Sequence, residues 1–255
     1  MTNERQDDAS TGIAGLDEVL AGGLARDRHY LLEGSPAGTG KSLLTLYFAI
    51  SAISRGERAA LFVFDEELGL LFDRTRALGL DLQSLVDAGT LLVQQIDAAE
   101  LSPGEFTARV RDCVASGGIR TVILDSLNGY QAAMPEENFL LLHIHELLQY
   151  LNRQGASTFL TVAHGLVGDM KAPVDVTYLA DTVLLLRYFE AVGEVRRAIS
   201  VIKKRSGSHE KTIREYQIGE DGLSVGPPLV GFHGVLRGAP NFVGPSTGLM
   251  GDASA

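Results

Sequence analysis

The sequence predicts an α/β fold in three layers: a mainly parallel sheet, helices on both faces, and antiparallel strands added near the C-terminus. Three observations carry that expectation. Between residues 29 and 186, short apolar runs of strand length alternate with longer segments of helical period, and parallel neighbours need such crossovers. A glycine-rich turn joins the first strand to the first long helix, an arrangement that presents backbone N–H groups to an anion. Past residue 186 the strand-like runs follow one another with no helix between them, which is how antiparallel neighbours are connected.

Taken in order, His29 to Glu33 is the first strand. The helix after it runs from Lys41 to Ser54, with Leu43, Leu46, Tyr47 and Ile50 on one face. Ala59 to Phe64 is the second strand; it runs into Asp65, Glu66 and Glu67 and then a helix from Leu68 to Leu78. Ser102-Pro103-Gly104-Glu105 carries two helix-start signals, a capping box between Ser102 and Glu105 and a proline at the first helical position. Thr121 to Leu124 is a buried strand that ends at Asp125. Glu136 to Arg153 is a long helix whose Leu140, Ile144, Leu147, Leu148 and Leu151 share a face. Ser157 to Val162 and Thr182 to Leu186 are further strands, and Ala198 to Ile202 and Thr212 to Ile218 are the antiparallel additions. Residues 1–9 read as a solvated lead-in, 10–242 as one domain, and the Gly-, Pro-, Ser- and Ala-rich stretch that closes the chain, 243–255 at the least, as a flexible tail.

Lys plus Arg number 22 against 32 Asp plus Glu, a net charge of −10. A protein held to nucleic acid or to a membrane surface chiefly by its charge needs the opposite sign. Glycine supplies 29 of 255 residues, about 11% against a usual ~7%, which suits tight turns and a phosphate loop. The single cysteine, Cys113, forbids an internal disulfide and suits a reducing compartment; in its helical stretch it reads as a small buried hydrophobe. No signal-peptide pattern is visible at the N-terminus, and no run approaches the ~18 apolar residues that span a bilayer. The expectation is a cytoplasmic protein.

Gly34-Ser35-Pro36-Ala37-Gly38-Thr39-Gly40-Lys41-Ser42 lies between the first strand and the first helix. There a loop turns its N–H groups inward, aims a helix N-terminus at the anion, and needs glycine wherever the backbone must come close. Lys41 would reach the outer phosphates of a nucleotide, and the Ser42 hydroxyl would ligate Mg²⁺. The strict spacing calls for glycine at position 35, where Ser35 stands; the loop is either one residue long or substituted. Two rival motifs fail. Gly38-x-Gly40 lacks the third glycine of a dinucleotide fingerprint, and His145-Glu146 lacks the second histidine of a zinc-protease helix, because Gln149 occupies its place.

Asp125, at the end of a buried strand, suits a magnesium-holding carboxylate; its plainer role is to cap a turn. Glu66 and Glu67 fall on opposite faces if the second strand continues, so one can address an attacking water, with Glu66 the first choice. The plainer role is an acidic helix start. Five basic residues fall between Arg196 and Arg205 in this acidic chain. If the strand there continues, Lys203 and Arg205 share a face and Lys204 opposes them. They read as cations lent to a neighbouring subunit's phosphates, a solvated strand end, or a nucleic-acid patch, and spacing does not choose.

Ser10-Thr11-Gly12-Ile13 through Leu16-Asp17 and Gly22-Gly23-Leu24, followed by the phosphate loop, resemble the RecA-superfamily ATPases. With Glu66-Glu67, Asp125-Ser126-Leu127, Asp181-Thr182 to Glu190 and Lys203-x-Arg205 to His209, the chain is similar to the KaiC family of circadian-clock ATPases, and Ile213-Arg214-Glu215 is closer to that family's second domain. The resemblance covers residues 10 to about 241. It implies a RecA-like core and a homo-oligomeric ring, commonly a hexamer, with ATP and Mg²⁺ between protomers. It makes Lys41, Glu66, Glu67 and Asp125 the catalytic set, with Gly34, Ser35, Ala37, Gly38, Thr39, Gly40 and Ser42 around the nucleotide. Lys203, Arg205 and His209 would serve the adjacent subunit's nucleotide, and Ala37 reads as an insertion in the family's loop. The family's second domain phosphorylates itself on neighbouring Ser and Thr hydroxyls; Thr177 keeps a hydroxyl at one of those positions and Tyr178 departs at the other. The resemblance thus implies an ATP-hydrolysing, clock-like or signalling switch with an autokinase at one site and a signalling or KaiB-like protein partner. The alternatives are a recombinase-type DNA-dependent ATPase and a non-catalytic ATP-dependent scaffold.

Overall fold

The computed structural model describes residues 8–35, 38–64, 66–97, 100–132, 137–163, 176–219, 222–237 and 241–242. Ala37, Asp65, the first seven residues and the expected tail lie outside them. The elements run α1 (Ala14–Val19), β1 (His29–Gly34), α2 (Lys41–Ser54), β2 (Arg58–Val63), α3 (Leu68–Ala77), α4 (Leu82–Asp87), β3 (Leu91–Gln95) and α5 (Pro103–Gly117). Then come β4 (Ile119–Asp125), α6 (Leu127–Ala132), α7 (Glu137–Arg153), β5 (Ser157–Ala163), β6 (Thr182–Ala191) and β7 (Glu194–Lys204). β8 (Arg214–Gly219), β9 (Gly222–Pro228), β10 (Phe232–His233) and β11 (Asn241–Phe242) close the described chain.

One sheet holds nine strands in the order β3-β2-β4-β5-β1-β6-β7-β8-β9. Neighbours from β3 to β6 are parallel, and from β6 to β9 antiparallel. This is the RecA-like α/β arrangement that the sequence predicts. Alternation along β1 sorts its side chains between two cores. Tyr30 and Leu32 pack with Leu16, Leu43, Leu46, Phe48, Leu71 and Leu82 of α1 to α4 on one face. Leu31 packs with Phe106, Val110, Tyr130, Ile144, Leu147 and Leu151 of α5 to α7 on the other. Because the central strands are covered on both faces, β1 is buried at all six residues, His29 and Glu33 included.

The helix starts follow their local chemistry. Ser102 caps α5 and Glu105 reaches back to the Ser102 N–H, with Pro103 at the first helical position. Cys113 is half-buried against the second core, and burial raises its thiol pKa. β6 runs five residues past the expected end at Leu186, because it pairs with β7 through a tight Val192-Gly193 turn in which both residues have positive φ. Asp8 and Ala9, expected within the solvated lead-in, are instead anchored. Ala9 is buried and exchanges both backbone hydrogen bonds with Leu24, at 2.7 Å each, and Asp8 lies 3.6 Å from Lys204 Nζ.

Candidate nucleotide site

Four strand ends meet at the C-terminal end of the parallel strands. Gly34 ends β1 opposite Ala163 of β5, and Asp125 ends β4 opposite Val63 of β2. Neighbouring strands lie about 4.8 Å apart, so Asp125 stands two strands from the loop that follows Gly34, the usual crevice for a ligand in such sheets.

The loop is shaped by its glycines and closed by its lysine. Gly40 is the N-cap of α2 with φ 80°, and Gly38 has φ 69°, both left-handed. A Cβ on Gly38 would collide with the Tyr188 hydroxyl, and one on Gly40 would sit 2.7 Å from Ile218 Cδ1. Gly34 is needed for a different reason: a Cβ there would lie 2.8 Å from Leu186 O and 3.0 Å from Thr39 Oγ1. The glycine that looks one residue early in the motif is therefore fixed by packing at the end of β1. Ser35 is buried, and its carbonyl accepts from Lys41 Nζ at 2.7 Å and from Thr39 Oγ1 at 3.3 Å. Lys41 is itself buried, 7% exposed. Desolvation brings its pKa down to about 8, against the opposing pull of Asp125.

Thr161 of β5 donates to Asp125 Oδ1 and holds that carboxylate between β4 and β1. Ser42, half-buried, is the second residue of α2. A serine hydroxyl and a carboxylate are an all-oxygen donor pair suited to Mg²⁺, which takes one or two protein ligands and fills the rest with phosphate and water. This donor set fits the ion.

The two glutamates are placed differently from the expectation. β2 ends at Val63, so the alternation that would set Glu66 and Glu67 on opposite faces of a strand does not operate. Glu66 lies in the bend after the strand, and Arg74 of α3 grips it with Nε to Oε1 at 2.9 Å and Nη2 to Oε2 at 2.6 Å. Glu67 is exposed and forms the N-cap of α3.

The cationic motif lies at the other end of the sheet. Lys203 is opposite Val183, and the Arg205 N–H bonds to Asp181 O. Lys203 Nζ donates to Thr177 O at 2.7 Å; Arg205 donates to Tyr178 O at 3.0 Å and has a guanidinium nitrogen 3.7 Å from Asp181. Lys204 points the opposite way, to Leu20 O and Asp8. Lys203 and Arg205 therefore share a side as the alternation predicts, with Thr177 beside them. His209 is half-buried next to Glu210, whose N–H bonds to Val19 O at 2.9 Å.

Sequence reasoning missed the residues that roof the loop. Tyr216 donates from its hydroxyl to Thr39 O, and Arg197 Nε donates to Gly38 O at 2.9 Å with its guanidinium 5.7 Å from the centre of the Tyr188 ring. Arg197 was visible only as one of the five clustered cations; its neighbour Arg196 instead pairs with Glu194 at 2.9 Å and buried Glu215 at 3.2 Å. Among the described residues no cluster of three or more His, Cys, Asp or Glu could hold a metal. Nor is any described helix long and apolar enough to cross a membrane.

A parallel strand, a glycine loop led into a lysine-started helix, and a carboxylate two strands away define a phosphate-loop nucleotide-binding domain of RecA-like build. Comparison with known proteins narrows the class. The chain belongs to the KaiC ATPase family, whose model matches residues 9–230. It is 28% identical over 239 residues to the circadian clock protein KaiC3 of Synechocystis sp., covering 93% of this chain and 47% of that protein. It is 30% identical over 234 residues to the circadian clock oscillator protein KaiC of Thermostichus vulcanus, covering 91% of this chain and 45% of that one. The chain thus spans about half the length of the curated relatives it matches.

Proposed function

We propose that this protein hydrolyses Mg-ATP in a homo-oligomeric ring, with each nucleotide held by the phosphate loop of one protomer and completed by Lys203, Arg205 and His209 of the next. One observation carries the reading. Arg205 leaves β7 level with Asp181 and His29, and His29 lies five residues below Gly34 on β1. At ~3.3 Å per residue that is about 16 Å from the end of the strand that bears the phosphate loop. Such a cation serves a phosphate on a neighbouring copy, which is how a charge supplied from outside stabilises phosphoryl transfer.

In this reading the loop N–H groups and Lys41 hold the phosphates, and Ser42 and Asp125 hold Mg²⁺. Bound there, the ion would supply positive charge that offsets the negative charge developing on the transferring phosphate. Glu66 orients the water whose oxygen bonds to the γ-phosphorus as the bond to the bridging oxygen breaks. The electron pair leaves on ADP, and Glu66 takes the proton from the water. Lys203 Nζ donates to the Thr177 backbone carbonyl, so a γ-phosphate that reaches Lys203 from the next protomer comes into the neighbourhood of Thr177. This supports a second nucleophile at the same site, and with it an autokinase between subunits that acts as a signalling or clock-like switch.

The test is a measurement of molecular size with and without Mg-ATP, coupled to phosphate release and to mass spectrometry of Thr177. The expected result is a ring that assembles with nucleotide, turns over slowly, and carries ATP-dependent phosphate on Thr177. A monomer that hydrolyses ATP at an undiminished rate with Arg205→Ala overturns the shared site. An intact ring with no phosphate on Thr177 overturns the kinase half alone.

A further inference from the structure

We infer that Arg74 is the positioning residue for Glu66: its guanidinium sets the angle at which the carboxylate meets the attacking water. The inference rests on the reading of Glu66 as the general base. Glu66 lies in a bend, outside both β2 and α3, so no backbone pattern fixes its side chain. Arg74 does so instead. It sits six residues into α3, whose Leu71 and Thr75 are buried against the sheet, and reaches back eight residues to contact both carboxylate oxygens, at 2.9 and 2.6 Å.

Two parallel N–H···O bonds fix direction as well as distance, which a single ammonium cannot do. They occupy one lone pair on each oxygen and leave the others for a water. The pair is only partly shielded, with side chains 35% and 23% exposed. A partly exposed ion pair contributes little to stability, so the geometry matters here more than the holding energy. Among the described residues Glu67 has no comparable clamp: it occupies the N-cap position of α3 without a side-chain cap bond and is exposed. The two adjacent acids thus divide, one gripped by Arg74 in the bend after β2 and one at a helix start.

The experiment is a double-mutant cycle on the full chain under assembling conditions, with kcat and KM for ATP measured separately. General-base removal costs on the order of a hundredfold, so Glu66→Gln is expected to cut kcat by about that much. Misorientation costs less, and Arg74→Ala is expected to cut kcat about tenfold while KM stays within about twofold, because Glu66 meets water and not the nucleotide. Arg74→Lys keeps the charge and loses the fork, so it should recover less than about half of the lost rate. In a Glu66→Gln background, Arg74→Ala should change nothing further. If Glu66→Gln is crippled while Arg74→Ala turns over normally, or if the two losses multiply, Arg74 does not act through Glu66 and the inference is overturned. If Glu66→Gln is itself fully active, the general-base reading falls, and that outcome is distinct. Thermal melts accompany each variant; should Arg74→Ala fail to fold, Arg74→Lys in both backgrounds carries the same test.

Discussion

Lys41 does two opposed things at once. Phosphate binding needs its charge, yet burial at the start of α2 penalises that charge and brings the pKa to about 8. The sign of the consequence follows. Below pH 8 the amine is already protonated and ATP meets a cation. Above pH 8 the free protein loses that proton, and binding must take one up. The affinity for ATP should therefore be flat from pH 6.5 to about 7.5 and weaken above 8, approaching tenfold per pH unit. Titration calorimetry across that range, in buffers of different ionisation enthalpy, reads both the affinity and the proton uptake; Lys41→Met should bind more weakly and without the slope. The placement of Lys41, Ser42 and Asp125 was legible in the sequence because strand, glycines, lysine, hydroxyl, and an acid at another strand end follow in a recognisable order. Arg74 was not. It lies eight residues from Glu66, at no spacing that marks a pair, and meets it only because β2 stops at Val63 and α3 folds back over the bend.

At the scale of elements, the antiparallel half of the sheet is more than an appendage. β6, β7 and β8 bring Tyr188, Arg197 and Tyr216 over the phosphate loop, where Arg197 donates to Gly38 O and Tyr216 to Thr39 O. Tyr216 is buried, and desolvation pushes its hydroxyl pKa far up, so it acts as a hydrogen-bond donor to Thr39 O and not as an acid. Tyr216→Phe leaves that carbonyl without its partner, and an unmet buried acceptor costs about 1–3 kcal/mol. Urea denaturation should show a loss of that size, with ATP binding weakened beyond the stability change because the loop is no longer held. The major elements were legible from period and caps; α2 begins and ends where the sequence reading placed it. β3 was not, because an edge strand of Leu91-Leu92-Val93-Gln94-Gln95 is only half-buried and its apolar signal fades into glutamine. α1, at six residues, is too short for a helical period to register.

At the scale of the whole molecule, the sheet separates two half-sites. The phosphate loop and Asp125 lie at the C-terminal ends of the parallel strands; Lys203, Arg205 and Thr177 lie at the other end, about five residues of β1 away. On the proposed function each of these half-sites faces a neighbouring protomer, and head-to-tail contacts of that kind close into rings when the rotation permits. The arrangement makes a sharp prediction about mixtures. Lys41→Met destroys the half-site that grips the nucleotide, and Arg205→Ala the half-site that completes it, so each variant alone should be nearly inactive. In a mixed ring, a working interface forms wherever an Arg205→Ala protomer presents its loop to a Lys41→Met protomer. With random assembly from equal amounts, about a quarter of interfaces are of that kind, and phosphate release should recover to about a quarter of the wild-type rate. Two half-sites acting within one protomer give no recovery at any ratio, because no single chain in the mixture carries both. The dependence on ratio is a second check: recovery should peak at equal amounts and fall symmetrically on either side, as the product of the two fractions.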